Sequence, residues 1–422
     1  MDIDRRQFLG AASGAAALVP LQAADARLGP SVLALRASSD KSRSVESDED
    51  PLGVRRDFPV VQEGLYLNSA YIAPVPAPVA AAGRAFAERK MTKPIPLDEM
   101  LRKTDDVRRQ FAALVNAAPD EIGFLYATSE GENILATALD LKAGDNVVVD
   151  ELHYNTSFVL YRELEKSRHI ELRIVKHRGG RVTRDDFEPH VNDRTRLVSV
   201  AWISHQNGFR HEMRPLADLA HAHGAHFYTD AVQALGMFPT DVKAAGVDCL
   251  TSGTYKWLLG GFGVAPFFLR RDLLERVRPD RYGALHVETE LDDHRYEIFK
   301  TAKKFEYATL PFGEVYQLGT ALEYLNKVGV DRIEQHSVGM ALDLWNGLNG
   351  LGFAMLTPQG NRSSIVSIQL TASQQARARA AIDKAGIQVS FREHGTQIRI
   401  SPALFNNRDD IRRFVEVAKG FA

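Results

Sequence analysis

The chain has 422 residues, 52 basic and 54 acidic side chains, a formal net charge of −2 and 45% apolar residues. Such a balance leaves no electrostatic footprint for nucleic acid or a membrane surface, and the length suits about two to three domain equivalents around a large core. The single cysteine, Cys249 in the apolar run VDCL, reads as a buried core residue and excludes disulfides and cysteine-based metal sites. Neither an HExxH motif nor a His/Asp cluster at metal spacing occurs, so no metal is expected.

Residues 1–26 combine Arg5-Arg6, Phe8-Leu9 and a short Ala-rich run. They resemble a twin-arginine export signal, although Asp4 and Gly10 depart from its favoured flanks. The run from Gly10 to Ala24 is too short and too weakly apolar to span a membrane. Export of a folded chain to the periplasm is expected, with a cytoplasmic location as the alternative; the lack of disulfides fits folding in a reducing compartment. Residues 27–56 are polar, charged and aperiodic and read as a disordered linker.

Globular patterning begins at Asp57. The segment 65–76 (LYLNSAYIAPVP) reads as a short strand and a Pro-punctuated turn, and 78–116 carries helical periodicity. IGFLYA, NVVVDE, ELRIVKH, RLVSVAWIS, HFYTDA and DCLTSG then alternate with helical stretches, which predicts a mostly parallel sheet covered on both faces. The rhythm changes near Tyr307. A long helical stretch (312–350), SSIVSIQL, a helix over about 373–385, IQVSF, QIRIS and a final helix predict a smaller α+β domain. The expected division is 57–310 for the large domain, with 57–76 contributing to the small one, and 311–422 for the small domain.

The segment Phe227–Gly260 carries the most chemistry. Asp230 closes an apolar run, Gln233 follows one helical turn later, and Lys256 follows 26 positions after the aspartate (256 − 230). An Asp and a Lys on neighbouring strand ends are what pyridoxal phosphate chemistry requires: the amine forms a Schiff base with the aldehyde, and the carboxylate keeps the pyridine nitrogen protonated. Taken singly, D-x-x-Q and Y-K-W fit a surface helix and a solvated lysine. Their order and spacing favour the cofactor site. Its phosphate belongs where a strand feeds a helix N-terminus, and ATSEGEN (127–133) has that form. Thr128 and Ser129 are the candidate donors there, with Asn133 bracing the helix; an ordinary Ser/Thr cap explains one hydroxyl equally well.

These residues together resemble the class V aminotransferase-like family of fold-type I pyridoxal phosphate enzymes, which includes cysteine desulfurases, kynureninases and isopenicillin N epimerases. The resemblance runs from about Asp57 to the C-terminus. It implies a large domain on a mostly parallel seven-stranded sheet and a small α+β C-terminal domain. It further implies pyridoxal 5′-phosphate as cofactor, Lys256 as the Schiff-base lysine and proton shuttle, and Asp230 as the pyridinium partner. Gln233 matches the residue that hydrogen-bonds the phenolic oxygen. In DELHYNTSF (150–158), the aromatic over the pyridine ring is expected to be Tyr154, with His153 as runner-up. Gln206 and Asn207 in ISHQNGFRHE are candidates near the phenolic oxygen, or plain turn residues. Tyr255 and Thr254, ahead of the lysine, are expected near the phosphate. KFEYATLP (304–311) resembles a segment whose threonine, here Thr309, reaches the phosphate of the other subunit of a homodimer. QIRISPALFNN (397–407) offers Arg399 as the clamp for a substrate α-carboxylate, with Arg392 as a second candidate for the same pocket.

One departure bears on the chemistry. Desulfurases carry a nucleophilic cysteine on a loop between the positions of Arg392 and Arg399, where this chain has EHGTQI without cysteine. Persulfide transfer through that cysteine is therefore not expected. An enzyme acting at Cα of a small amino acid is expected, with aminotransferase as the leading label and a C–S or C–C lyase or an epimerase as alternatives. A non-catalytic binding protein on the same fold is the alternative from another class.

Overall fold

The computed structural model of the protein describes residues 49–422. The export signal expected over 1–26, and the linker as far as residue 48, lie outside the described residues. Residues 49–56, expected as linker, are docked instead. Asp50 accepts hydrogen bonds from the Val54 and Arg55 amides, Arg55 grips Asp410 through both terminal nitrogens, and Val54 is buried. Asp50 thus caps the backbone of its own segment, and Arg55 is an ion-pair partner of the C-terminal helix.

Two helices come first: α1 (Ala77–Thr92), with proline in its first turn, and α2 (Leu97–Leu114), which follows Pro96 and carries Asp98 and Glu99 in its first turn. Proline pre-sets the entry and the acids complement the helix dipole. The central sheet then builds from β1 (Ile122–Leu125), β2 (Asn146–Asp150), β3 (Glu171–Val175), β4 (Thr195–Ala201), β5 (His226–Asp230), β6 (Cys249–Thr251) and β7 (Ala265–Leu269). Its spatial order is β1-β7-β6-β5-β4-β2-β3, and β7 alone runs antiparallel to the rest. The crossovers include α3 (Thr128–Ala138), α4 (Asn155–Arg168) and α5 (Met213–Ala222).

Strand residues alternate between two cores, as the pleat demands. Val147, Val149, Leu197, Tyr228, Cys249 and Phe267 face α3 and α4 in one cluster. Val148, Val198, Phe227, Leu250 and Phe268 join α2, α5 and α6 (Phe312–Val328) in the other. α6 ends at Gly329, whose φ of +90° lies in the left-handed region that glycine adopts without strain.

The small domain comprises α7 (Val330–Gly350), β8 (Ala354–Met355), β9 (Val366–Gln369), α8 (Ala372–Lys384), β10 (Ser390–Arg392), β11 (Gln397–Ile400) and α9 (Arg408–Ala418). Its sheet is antiparallel in the order β8-β9-β11-β10. Leu65–Tyr66 pairs with Ile387–Gln388, and Leu65 and Leu67 join the small-domain core. The packing does not change hands at residue 311. α6 buries Val315, Leu318 and Leu322 in the large-domain core, and the change falls within α7, where Ile333 belongs to one core and Met340 and Leu344 to the other. A continuous helical pattern conceals this, because both halves of it are amphipathic.

A buried ion pair locks the edge of the sheet. Arg108 on α2 donates to Glu306 through both terminal nitrogens and to the Ile122 carbonyl, while Glu306 also accepts from the Phe124 amide. Both side chains are only 4% exposed. Breaking a buried pair strands the remaining charge, so Arg108→Ala should destabilise the fold by about 3–5 kcal/mol, measured by denaturant unfolding. A loss under about 1 kcal/mol would show that solvent rescues Glu306 and that the pair is not a lock.

Candidate active site

The C-terminal ends of β1, β2, β4, β5 and β6 converge on one side of the sheet, where open α/β sheets place their sites. Lys256 follows β6 on a loop fixed by its own backbone. Thr254 donates its hydroxyl to the Gly261 carbonyl, Gly260 N–H donates to the Thr254 carbonyl, and Ala73 N–H reaches the Tyr255 carbonyl. Lys256 is buried, and burial, reinforced by the Arg399 guanidinium, pushes its ammonium down to about 7 against the opposing pull of Asp230. An amine in that range is a base at neutral pH.

Asp230 ends β5, also buried. One oxygen accepts from the Val232 amide, and the carboxyl forms no ion pair among the described residues. Burial raises its pKa, while the Val232 hydrogen bond, His153 and Lys256 oppose the shift. A carboxylate left this way suits a buried N–H⁺ donor. Gln233, in the turn after β5, is largely committed: its side-chain oxygen accepts from the Trp257 indole and its nitrogen donates to the Ala70 carbonyl, leaving one N–H for any further partner.

At the opposite end, α3 begins at Thr128 with Ala127 as an N-cap that supplies no side chain. Its first-turn amides and dipole make an anion cradle. The Thr128 hydroxyl accepts from the Gly253 amide, and Ser129 lies beside Thr156. A Cβ on Gly253 would sit 2.8 Å from the Tyr255 ring and 3.3 Å from the Thr128 hydroxyl, so glycine there lets all three crowd together. Tyr255 itself stacks on Phe262, with ring centroids 4.6 Å apart. Thr254 does not join the cradle, contrary to expectation. Its one proton goes to the Gly261 carbonyl, and it shapes the lysine loop instead.

The ring beside Asp230 is that of His153. It is fully buried, and its Nδ1 accepts from the Tyr154 amide, which leaves Nε2 to donate to the Ser199 hydroxyl at 3.0 Å. Ser199 in turn donates to Glu132, which also accepts from Ser157 and Tyr161. Tyr154, expected over the pyridine ring, is 41% exposed and packs edge-on against His205. His153 has the enclosed position, because the strand-to-helix turn after β2 points alternate residues inward and outward.

From the small domain, Arg399 on β11 is buried and donates to the His205 carbonyl and the Ser390 hydroxyl. Arg392 stands on neighbouring β10, and its charge, like that of Arg399, acts on Lys256. Gln206 and Asn207 have turn duties, donating to the Glu151 and Gly180 carbonyls. Thr309 is exposed, with its carbonyl accepting from the Tyr126 hydroxyl. Cys249 is buried in β6 and burial raises its thiol, so it is no nucleophile. Among the described residues no group of side chains could hold a metal ion, and no helix is long and apolar enough to cross a membrane.

The family model for aminotransferase class-V matches residues 65–414. The chain belongs to that family. A probable cysteine desulfurase of Methanothermobacter thermautotrophicus is 31% identical over 297 residues, covering 69% of this chain and 74% of the relative. The uncharacterized aminotransferase YcbU of Bacillus subtilis is 25% identical over 87% of this chain and 96% of its own. Among solved structures, the apo cysteine desulfurase of Thermococcus onnurineus NA1 superposes with a TM-score of 0.80 at 23% identity, over 89% of this chain and 98% of that one. The cystine C–S lyase C-DES, in complex with its product cysteine persulfide, gives 0.80 at 19% identity over 86% and 100%. The protein is therefore a class V pyridoxal-phosphate-dependent enzyme of fold type I. The uncapped α3 terminus, the buried Lys256 and the unpaired Asp230 fit the cofactor's phosphate, aldehyde and ring nitrogen in turn.

Reading the sequence alone overlooked Glu132, Ser199 and His205. Glu132 breaks an otherwise apolar helix face ahead of Ile134 and Leu135, which is a detectable signal; a serine inside a strand is not. His205 directly precedes the two residues weighed as candidates there. Burial keeps its imidazole neutral, and both ring nitrogens lack partners among the described residues.

Two outcomes follow from the electrostatics. The free Lys256 amine grows as pH rises through about 7, so the rate of pyridoxal phosphate capture by apo-protein should climb about tenfold per unit below that midpoint and level off above it. Stopped-flow absorbance checks this, and a midpoint near the ordinary 10.5 would mean the lysine is not desolvated. Asp230→Asn should keep the fold yet lower turnover by roughly a hundredfold or more, the worth of one preorganised electrostatic partner. Wild-type turnover in that variant would remove the aspartate from the machinery.

Proposed function

We propose that the enzyme is a C–S lyase that cleaves the side chain of an S-substituted cysteine and releases the sulfur fragment into solution. The observation that carries this is the junction between β10 and β11. It is a short turn over Glu393–Gly395 with no thiol, while the only cysteine is walled into the central sheet. Relatives named for cysteine desulfuration and for cystine C–S cleavage support the bond chosen. The missing loop thiol argues that sulfur is not passed to the protein. Transamination, the leading label from sequence, has YcbU as its support.

When bound, pyridoxal phosphate would supply an electron sink for the bonds at the substrate's Cα. Arg399 would hold the α-carboxylate and so orient the bonds at Cα. Lys256 takes the Cα proton as a neutral amine and can return it. Asp230 would stabilise positive charge at the ring nitrogen, Thr128, Ser129 and Tyr255 would hold the phosphate, and His153 would cover the ring. The sulfur leaves with the electron pair of the C–S bond and takes a proton; hydrolysis of the remaining enamine gives pyruvate and ammonium. The exposed Thr309 hydroxyl would serve the phosphate of a second copy, making the enzyme a homodimer with shared sites. The Arg5-Arg6 segment supports export of the folded, loaded protein.

Incubated with S-substituted cysteines, the purified enzyme should release pyruvate and free thiol. Lys256→Ala should release neither, and Cys249→Ser should retain nearly full activity with no persulfide on the protein by mass spectrometry. A keto acid retaining the intact substrate skeleton would establish transamination instead. A persulfide trapped on Cys249, with activity lost in the serine variant, would restore the desulfurase relay.

A further inference from the structure

The small domain brings two guanidinium groups to the site, whereas one suffices for an α-carboxylate. β10 and β11 pair antiparallel with Ser390 opposite Arg399 and Arg392 opposite Gln397. Residues directly opposite one another share a sheet face, and residues two apart on one strand share it as well. Arg392 and Arg399 therefore lie diagonally on a single face, about 7 Å apart along the strand direction. That face meets the Ser204–Phe209 segment of the large domain. Gln397 donates to the Gln206 carbonyl there, and Arg399 to the His205 carbonyl.

Neither guanidinium has an anion. Among the described residues, neither forms an ion pair, and the Nε of each is buried with no hydrogen-bond partner. Buried with Arg399 are the Lys256 amine and the His205 imidazole, whose pKa burial lowers, and neither is an anion. Glu393, next to Arg392 in sequence, is exposed; its charge acts on Arg392, but the two form no ion pair. Asp230 belongs to the other end of the site, with His153 and Lys256. Each arginine also works against the other, because the Arg392 charge pushes Arg399 downward after burial has done so. A single carboxylate shared between them would leave one positive charge over, next to the buried Lys256. Two anions would neutralise both.

We propose that the preferred substrate carries a second anionic group on its side chain, bound by Arg392 while Arg399 takes the α-carboxylate. The proposal deepens the reading of this site as an amino-acid lyase pocket and rests on it for the role of Arg399. The substrate class is an amino acid whose sulfur substituent ends in a carboxylate or comparable anion, about one extended side chain from Cα. Arg392 is then a specificity-determining residue rather than a part of the proton chemistry.

The test uses a matched pair of ligands, S-carboxymethylcysteine and its uncharged isostere S-carbamoylmethylcysteine. Each is mixed with the cofactor-loaded enzyme, and its dissociation constant is read from the absorbance change before turnover. Wild type should bind the charged compound about 100-fold more tightly, the scale of one charge-assisted pair in a buried site. Arg392→Gln should reduce that preference to within about threefold by weakening the charged ligand alone, whereas Arg399→Gln should weaken both ligands by a similar factor. Equal affinities in wild type would overturn the proposal, and so would a parallel loss for both ligands in Arg392→Gln, which would make Arg392 a second clamp on the α-carboxylate. The wild-type comparison decides the matter alone if a variant fails to fold. Binding of neither compound would count against the whole pocket assignment. A clear preference without release of thiol and pyruvate would remove the lyase reading and leave the second anion site standing; cleavage of both compounds with equal affinity would do the reverse.

Discussion

The cost of burying charge governs this molecule. Lys256, Asp230 and Arg399 are all removed from water, and none of them forms an ion pair with another protein group among the described residues. An isolated buried charge destabilises a fold by several kcal/mol unless something meets it. The site is thus built as an incomplete set of charges, with an amine that escapes by losing its proton, a carboxyl whose pKa rises, and guanidiniums that cannot do either. A cofactor bearing a ring nitrogen, an aldehyde and a phosphate meets the carboxyl, the amine and the α3 terminus in turn.

Such a site needs a rigid frame. The seven-stranded sheet has both faces buried, which fixes the strand ends from which Asp230, Lys256 and the α3 terminus emerge. Close approaches tighten it further. A Cβ on Gly131 would fall 2.0 Å from the Thr251 hydroxyl, so α3 can rest against β6 only with glycine there. The small domain is held with comparable firmness. Leu65–Tyr66 is stitched to Ile387–Gln388, Asn68 bridges to Ser401, and Thr357, Ser367 and Gln397 all bond the carbonyls of the Gln206–Asn207 turn. The arginines are therefore set relative to the lysine by a network of backbone contacts, not by a flexible hinge.

Within the class V family, chemistry diverges by what stands near the cofactor and not by the fold. The short turn between β10 and β11 carries no thiol, and the Glu132–Ser199–His153 chain is another local feature. Glu132 gathers three hydroxyl donors in a dry interior, and one of them, Ser199, receives the proton of the His153 ring. That arrangement holds the imidazole in one tautomer and one orientation. It links the α3 and α4 packing layer to the buried His153 ring beside Asp230.

Much of this was legible in the chain itself. Asp230 and Lys256 stand out because strand-end polar residues interrupt long apolar runs, and the order of strands and helices determines a parallel sheet with its site at the strand ends. Thr128 and Ser129 follow from the strand-to-helix junction, and Arg399 from the resemblance of QIRISPALFNN to a segment of the family. Other features needed the third dimension. Whether His153 or Tyr154 faces inward depends on how one turn leaves β2, and adjacent residues carry no periodicity to decide it. Thr254 looked available until its proton was seen to close the lysine loop. The docking of residues 49–56 depends on Asp410, more than 350 positions away in sequence. The pairing of Arg392 with Arg399 on one face follows from strand register. Sequence by itself determined which chemical groups are present and on which elements they lie, because local patterns of burial and turn formation are short-ranged; the tertiary structure alone decided which of those groups meet, because contact between distant segments is set by packing and register.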